Sequence, residues 1–234
     1  MIKIGLASSF LGAVLLLAGP LGTRVGMWSF IIGFLILGLS VLLALAGASL
    51  GLVAGIKTGQ WALAAAAIVI GLAVVSVPSA AILSARGKPA IHDITTDPDN
   101  PPLFVAILPL RTGAANPPDY AGGDVTAQQR RAYPDIQPLV VNVPAEKAFD
   151  RALAAVRDLG WNVVASERDA GRIEAVDTTF WFGFKDDVVI RVREMGAPGS
   201  TRIDVRSKSR VGVGDLGTNA RRVRTLLDRL QAMS

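Results

Sequence analysis

The 234 residues include 24 Lys and Arg, 19 Asp and Glu, one His and no Cys, which gives a net charge of +5. This composition excludes disulfides, thiolate metal sites, cysteine nucleophiles and multi-histidine sites within one chain. The first 85 residues account for +3 of the net charge, and the small remaining excess does not indicate nucleic-acid binding.

The charges divide the chain into two parts. All acidic residues lie beyond residue 90, and only Lys3, Arg24 and Lys57 carry a charged side chain before Arg86. The remainder has the composition of an ordinary globular domain. Because charged groups are costly in hydrocarbon, we expect a part in lipid followed by a part in water.

The first part predicts a transmembrane anchor over residues 1–85. Its uncharged runs cover residues 4–23, 25–56 and 58–85. Each run has the roughly 20 residues needed to cross a hydrocarbon core of about 30 Å. The expected helices are at about 4–22, 27–55 and 60–85. We interpret the first run as an uncleaved helix, because it exceeds the roughly 7 to 15 apolar residues of a signal peptide. No Asp, Glu or His lies in these runs, which argues against an ion pathway.

Glycines recur at fixed spacing in the first two runs. They stand seven residues apart at Gly5, Gly12 and Gly19, and four residues apart at Gly47, Gly51 and Gly55. Small residues let helices in lipid approach closely, so the spacing is typical of a packing face. The alternative is the general abundance of Gly in membrane helices.

Charge alone does not orient the anchor. The α-amino group, Lys3 and Lys57 fall on one side of three spans, whereas Arg24, Arg86 and Lys88 fall on the other. The positive-inside rule therefore makes no choice.

Residues 86–135 are dense in Pro, Gly and Asn, which is typical of an extended segment. The apolar stretch Leu103–Leu110 predicts that this segment packs against the domain or the bilayer. A short helix is expected near residues 124–131, with Asp124 as its N-cap.

Residues 136–234 predict a soluble α+β domain. Strands are expected at 137–143, 161–166, 172–182, 187–194 and 201–211, with helices at 144–159 and from about 215. A turn is expected at residues 195–200. The order β-α-β-β-β-β-α predicts an antiparallel sheet with both helices on one face.

The last predicted strand has a basic stripe. The residues of one face are Arg202, Asp204, Arg206, Lys208 and Arg210. They alternate with Ile203 and Val205, so we expect the charged side chains on an exposed face. Across the hairpin, Arg191 is expected opposite Asp204.

A glycine-rich turn follows this stripe. The string from Gly212 to Gly217 resembles a dinucleotide fingerprint, but the fold lacks the parallel strand that such a site needs. Backbone N–H groups at a helix start, beside cations, can bind an anion. The predicted anion or ligand site comprises Arg206, Lys208, Ser209, Arg210, Gly212 and Gly214. The alternative is a tight turn with solvated charges.

The acid–base candidates are His92, Asp93 and Asp187. His92 and Asp93, with Asp97 and Asp99, also have the chemistry of a hard-cation site, but their spacing fits no EF-hand. The neighbouring prolines favour a structural loop, so no metal is predicted.

Four aromatic residues surround Gly183, namely Phe180, Trp181, Phe182 and Phe184. Alternation along a strand end sends at least one ring away from the core. Such a ring can contact lipid, a ligand or a partner, or it can be covered by Leu103–Leu110.

Three strings carry a resemblance to a known family. They run from Ile91 to Asp97, from Phe180 to Asp187 and from Arg202 to Gly212. Together they resemble the bacterial and chloroplast family catalogued as domain of unknown function 1499. The resemblance implies a location outside the cytoplasm and provides no catalytic or binding residue.

The expected function is therefore a non-enzymatic, multi-pass protein of the bacterial inner membrane with a periplasmic domain. That domain is expected to bind a lipid, a small apolar or anionic ligand, or an envelope protein, with no cofactor and no nucleic acid. The alternative is a hydrolase acting on an envelope component.

Overall fold

The computed structural model describes residues 1–196 and 199–233, so Ser234 and two positions of the predicted turn at 195–200, Ala197 and Pro198, lie outside it. The chain forms two compact units. The first comprises Met1–Arg86 with Phe180–Gly183, and the second comprises Gly87–Thr179 with Phe184–Ser234. The predicted class, a three-helix N-terminal bundle followed by an α+β domain, is confirmed.

The first unit contains helices α1 (Ile2–Arg24), α2 (Phe30–Thr58) and α3 (Trp61–Ala85). All three are long and apolar enough to cross a membrane. Helix α2 begins after Ser29, whose hydroxyl accepts a hydrogen bond from the N–H of Ile32. It ends at Gly59, which adopts the left-handed conformation common at helix C-termini.

The regularly spaced glycines of α1 and α2 form a packing face. A Cβ atom added at Gly5 would lie 2.8 Å from the backbone N of Gly51, and one added at Gly12 would lie 2.8 Å from the carbonyl oxygen of Ser40. Such distances leave no room for a side chain. The Ser9 hydroxyl also donates to the carbonyl of Ala67 in α3, at 2.8 Å. The bundle therefore depends on close backbone approach.

We expect Gly47→Ala to destabilise the bundle by about 1–3 kcal/mol, the usual range for overpacking. The new methyl group would lie 2.3 Å from the Ser9 hydroxyl oxygen and 2.6 Å from the carbonyl oxygen of Gly5. Gly38→Ala is the matched control, because nothing lies within 4 Å of a Cβ at that position of the same helix. Thermal unfolding of the full chain in detergent measures both variants. Equal melting temperatures for the two variants would contradict the packing role.

The second unit is built on a six-stranded antiparallel sheet. Its elements are β1 (Asp93–Thr95), α4 (Gly123–Ala132), β2 (Leu139–Val141), α5 (Ala145–Asp158), β3 (Asn162–Glu167), β4 (Arg172–Thr178), β5 (Lys185–Glu194), β6 (Thr201–Ser209) and α6 (Thr218–Ala232). The strand order is β1-β6-β5-β4-β3, and β2 also pairs with β6. Strand β6 is therefore central and hydrogen-bonds with three others.

Several boundaries differ from the expectation. Strand β4 ends at Thr178 instead of residue 182, so Phe180, Trp181 and Phe182 lie in the turn after the strand and not at its end. Strand β1 lies in the segment predicted as extended loop, because its three residues are too few to show an alternating pattern. Helix α6 begins three residues later than expected, after Gly217 in the left-handed conformation at φ 78°.

One face of the sheet forms the apolar core with α5 and α6. Phe149 and Val156 of α5, and Leu226 of α6, are buried against the inward side chains of β5 and β6, such as Ile190 and Val205. Both helices cover this face, as predicted.

Residues 97–122, which we call the covering segment, cross the other face. Phe104 and Ile107 from this segment pack on Val176 and Val189 of the sheet. Within the apolar stretch Leu103–Leu110, these two side chains are buried, whereas Leu103 and Leu110 are exposed. The sheet is thus covered on both sides.

Candidate functional site

The charged face of β6 is buried. The alternation places its charged side chains on one face as predicted, and Arg191 pairs with Asp204 in the observed register. The expected exposure is wrong, because Arg206 is 0% exposed and Lys208 is 2% exposed. The covering segment lies over them, and its carbonyl groups accept their hydrogen bonds. Arg206 donates to the carbonyl of Pro118 at 2.8 Å, and Lys208 donates to that of Asp119 at 2.7 Å.

Asp93 forms a buried cluster with two cations. Its carboxylate accepts two hydrogen bonds from the Arg206 guanidinium, at 2.9 and 2.8 Å, and one from the Lys208 amino group at 2.8 Å. Burial lowers the pKa of the Lys208 amino group below its ordinary value, and the nearby Asp93 carboxylate opposes that shift. Because cations already bind both of its oxygens, the Asp93 carboxylate is better suited to fixing the position of its strand than to accepting a proton from a substrate.

Asp187 forms a second buried cluster on the same face. Arg210 donates to both carboxylate oxygens, with a shortest distance of 2.7 Å, and Arg111 of the covering segment donates to one of them. Burial lowers the pKa of the Arg111 guanidinium, and Asp187 opposes this effect. In the strand register, Asp93 and Asp187 stand on either side of Lys208.

Asp204, in the first half of β6, forms a third charged cluster. Arg191 and Arg193 donate to the same oxygen of Asp204, each at 2.9 Å, and Arg202 donates to the other oxygen at 2.8 Å. Asp97, from the covering segment, accepts from Arg191 at 3.1 Å and from Arg202 at 2.8 Å. The cations of the predicted basic stripe are thereby neutralised within the unit.

Glu174 of β4 also holds the covering segment, and sequence reasoning missed it. Its buried carboxylate accepts from the backbone N–H groups of Val105, Ala106 and Ile107, at 2.9–3.1 Å. A carboxylate on successive backbone donors is a strong, charge-assisted arrangement. Glu174 alternates with the core residues Ile173 and Ala175, so the strand pattern places it on the other face, where sequence alone predicts a solvated side chain.

A polar network lies on the helix side of the sheet and was also missed. Arg222 of α6 donates to Asp186 at 2.6 Å and to the side-chain carbonyl of Asn219 at 2.7 Å. Ser207 donates to the same Asn219 oxygen at 2.6 Å. Burial raises the pKa of the Asp186 carboxyl group, and Arg222 opposes the shift. Adjacent aspartates in one strand point to opposite faces, so each needs its own cation.

The glycine-rich turn places its predicted ligands in internal contacts. Ser209 accepts from the Asn219 side chain at 2.8 Å, and the carbonyl of Gly212 accepts from Asn116 at 3.0 Å. A Cβ on Gly214 would lie 3.1 Å from the Cα of Ala90. At the start of α6, the Asp215 carboxylate accepts from the N–H groups of Gly217 and Asn219, at 2.8 and 2.6 Å. The N–H groups at this helix start, which could bind an external anion, are therefore already bound by the carboxylate of Asp215.

His92 lies apart from the two acidic candidates. Its Nδ1 atom is 3.0 Å from the carbonyl oxygen of Val213, whereas Asp93 and Asp187 point into the charged face. Asp99 pairs with Arg130 at the surface. Among residues 1–196 and 199–233, no three His, Asp or Glu side chains are grouped so that they could hold a metal ion.

The aromatic string splits between the units. Phe180, Trp181 and Phe182 belong to the first unit, where the Phe182 ring centroid lies 4.7 Å from that of Phe34 in α2. Phe180 is 74% exposed and Trp181 44% exposed. Phe184 belongs to the second unit, where its N–H donates to the Thr179 hydroxyl at 2.9 Å.

Two clefts open on the second unit. The larger, which we call the Arg130 cleft, has a volume of about 400 Å³ and is lined by Thr96, Asp97, Pro98, Asp99, Gln129, Arg130, Tyr133, Pro134, Ile136, Gln137, Pro138 and Arg202. The smaller, of about 290 Å³, lies beside β2 and is lined by residues 139–143, Arg151 and Gln231. Neither cleft contains a predicted acid–base residue.

Comparison with known proteins identifies a family. No curated protein matches the chain. Residues 93–230, more than half of the chain, match the family described as "Protein of unknown function (DUF1499)". The matched range begins at the first residue of β1 and ends within α6, so it covers the whole sheet. The chain belongs to the DUF1499 family.

Proposed function

We propose that this chain is a non-enzymatic, membrane-anchored envelope protein whose soluble unit lies outside the cytoplasm and binds an anionic ligand with an apolar portion. A phospholipid headgroup with the start of its acyl chains has this chemistry. The observation that carries the proposal is the Arg130 cleft, which combines an exposed cation with an apolar wall.

The size and lining of the cleft support a small ligand. Its volume of about 400 Å³ lies within the roughly 300 to 1,000 Å³ of typical ligand sites. Pro134, Ile136 and Pro138 line it with apolar atoms, whereas Gln129, Arg130 and Arg202 supply donors and Asp97 and Asp99 supply carboxylates. Gln129 is already bound, since its amide group exchanges two hydrogen bonds with the backbone of Thr95. Arg202 is also bound, because it donates to Asp97 and Asp204. Arg130 is therefore the cation from which we expect ligand recognition.

Within the part of the chain that the structure describes, the Arg130 guanidinium is bound by a surface ion pair alone. It donates to the carboxylate of Asp99 at 2.6 Å, and the two side chains are 54% and 79% exposed. A pair in such contact with water contributes about 0–1 kcal/mol. A ligand anion can replace Asp99 at little cost. By contrast, Arg206, Lys208 and Arg210 already bind buried carboxylates, so the anion site first expected there has less support.

The hydrolase alternative also has less support. Asp93 and Asp187 are each bound by two cations, and the His92 ring contacts a backbone carbonyl instead of either carboxylate. A general base needs an accessible lone pair within hydrogen-bond reach of its substrate.

We expect Arg130→Gln to weaken binding of dihexanoyl phosphatidylglycerol about tenfold, which corresponds to about 1.4 kcal/mol for one charge-assisted hydrogen bond. The matched control is Arg168→Gln. Arg168 forms a comparable surface pair with Asp150, outside the cleft, and its side chain is 47% exposed. Calorimetric titration of the full chain in a neutral maltoside detergent gives the affinities, with dihexanoyl phosphatidylcholine as the lipid without net charge. Equal affinities for the wild type and Arg130→Gln, or no saturable binding to the wild type, would contradict the proposal.

The extracytoplasmic placement is tested separately. The chain has no cysteine, so Val213→Cys introduces a single thiol at a position that is 81% exposed. We expect this thiol to react with a membrane-impermeant maleimide in intact spheroplasts as fully as it does after lysis. Reaction only after lysis would place the soluble unit in the cytoplasm.

A further inference from the structure

An exposed aromatic pair stands at one end of the helix bundle. Phe180 and Trp181 belong to the same compact unit as the three apolar helices. Their ring centroids are 5.4 Å apart, at an interplanar angle of 80°. Large exposed rings on the surface of a unit need a partner that favours them.

The neighbouring residue fixes where these rings stand along the bundle. The Phe182 ring lies against Phe34, the fifth residue of α2, and its Cε1 atom is 3.2 Å from the Cβ position of Gly33. Helix α2 has 29 residues, which gives a length of roughly 44 Å against a hydrocarbon core of about 30 Å. Centred in the core, it extends about 7 Å, or between four and five residues, beyond each side. Phe34 therefore marks the boundary between hydrocarbon and headgroups.

A cation is present at the same level. The Arg24 guanidinium donates to the carbonyl of Phe180 at 2.6 Å, and its central carbon lies 5.9 Å from the Phe180 ring centroid. Arg24 is the last residue of α1, and Val25 and Met27 after it are 70% and 71% exposed. Aromatic rings, exposed apolar side chains and an arginine at the end of a span are the composition of a membrane–water interface.

We propose that Phe180 and Trp181 insert into the headgroup region of the bilayer and form a membrane contact in addition to the three helices. The occupant of this surface is lipid, because Phe182, the next residue after both rings, packs on Phe34 of α2, and Ile31 and Leu35 near Phe34 in that apolar helix are 60% and 69% exposed. The inference rests on the proposed membrane anchor and is independent of ligand binding at Arg130.

A nitroxide label tests the inference. In a chain without cysteine, Trp181→Cys gives one labelling site, which is examined in vesicles of phosphatidylethanolamine and phosphatidylglycerol. Leu42→Cys, at a position of α2 that is 65% exposed, is the lipid reference, and Val213→Cys is the water reference. We expect the ratio of oxygen to NiEDDA accessibility at position 181 to be severalfold higher than at 213 and lower than at 42.

Two outcomes would overturn the inference. A label at 181 with the same ratio as the one at 213 would mean that water surrounds the rings. Low accessibility to both reagents would mean that protein covers them. If the label at 42 also behaves as in water, the hypothesis of a membrane anchor is rejected as well. The label at 42 therefore distinguishes failure of the anchor from failure of the aromatic contact alone. Phe180→Cys provides a second site should Trp181→Cys fail to fold.

Discussion

Replacing Asp93 by Asn is expected to lower the free energy of unfolding by about 3–5 kcal/mol, the range for removing one partner of a buried ion pair. The loss leaves two buried cations, Arg206 and Lys208, without the carboxylate that both contact. Chemical denaturation of the full chain, followed by a spectroscopic signal of the soluble unit, measures the effect. Asp150→Asn is the control, because the Asp150 carboxylate is 60% exposed and pairs with the surface residue Arg168.

The same variant has a pH signature. Burial lowers the pKa of Lys208, and in Asp93→Asn the carboxylate that opposes this shift is gone. The pKa of Lys208 in the folded variant therefore lies below its ordinary value of 10.5. At pH values between the pKa of Lys208 in the folded variant and its pKa in the unfolded chain, the unfolded chain binds more protons than the folded one. Stability therefore rises with pH in this range. We expect the deficit of Asp93→Asn relative to the wild type to shrink as the pH rises from 7 towards 10.5. A deficit no larger than that of Asp150→Asn, or one that grows with pH, would contradict the role assigned to Asp93.

Replacing Glu174 by Ala is expected to cost about 3–5 kcal/mol, because each unsatisfied buried N–H costs about 1–3 kcal/mol and part of that cost is relieved by local movement. The donors that lose this partner are the N–H groups of Val105, Ala106 and Ile107, and Arg172 loses one of its two ion pairs. Their amide hydrogens should then exchange orders of magnitude faster, whereas those of α5 should change only with global stability. Hydrogen exchange followed by mass spectrometry separates the two effects.

Glu167→Gln is the matched control for Glu174. Glu167 belongs to neighbouring strand β3 and pairs with Arg172, the same arginine that contacts Glu174, but the Glu167 side chain is 46% exposed. We expect this control to change stability by less than about 1 kcal/mol. Unchanged exchange at residues 105–107 in Glu174→Ala would show that other contacts hold the covering segment.

The elements that sequence predicted best have strong periodic patterns. The three apolar helices, α5 with its helical spacing of Phe149 and Val156, and the alternation of β6 all follow from local chemistry. The pairing of Arg191 with Asp204 also followed, because a hairpin of known turn position determines its own register. The family was identified by resemblance, because residue patterns alone do not identify a family.

The burial of the charged face did not follow from the sequence. The same alternating pattern of Arg and Lys is expected whether the charges are solvated by water or neutralised by a second layer of protein. The neutralising groups, such as Asp93 and the carbonyl of Pro118, lie about 90 to 115 residues away from Arg206 in the chain, within a Pro-rich segment that has no periodicity. Glu174 was missed for the same reason, since its partners are backbone groups.

The position of β6 has a consequence for how the protein is made. This strand, Thr201–Ser209, is the last of the six described strands in chain order, yet it lies between β5 and β1 and also pairs with β2. Until it has been synthesised, β1 and β2 lack the strand with which they pair among the described residues, and Asp93 lacks both of its cations. The sheet is therefore complete only after β6 has emerged, and we expect nascent or truncated chains that stop before residue 201 to need protection from aggregation and proteolysis.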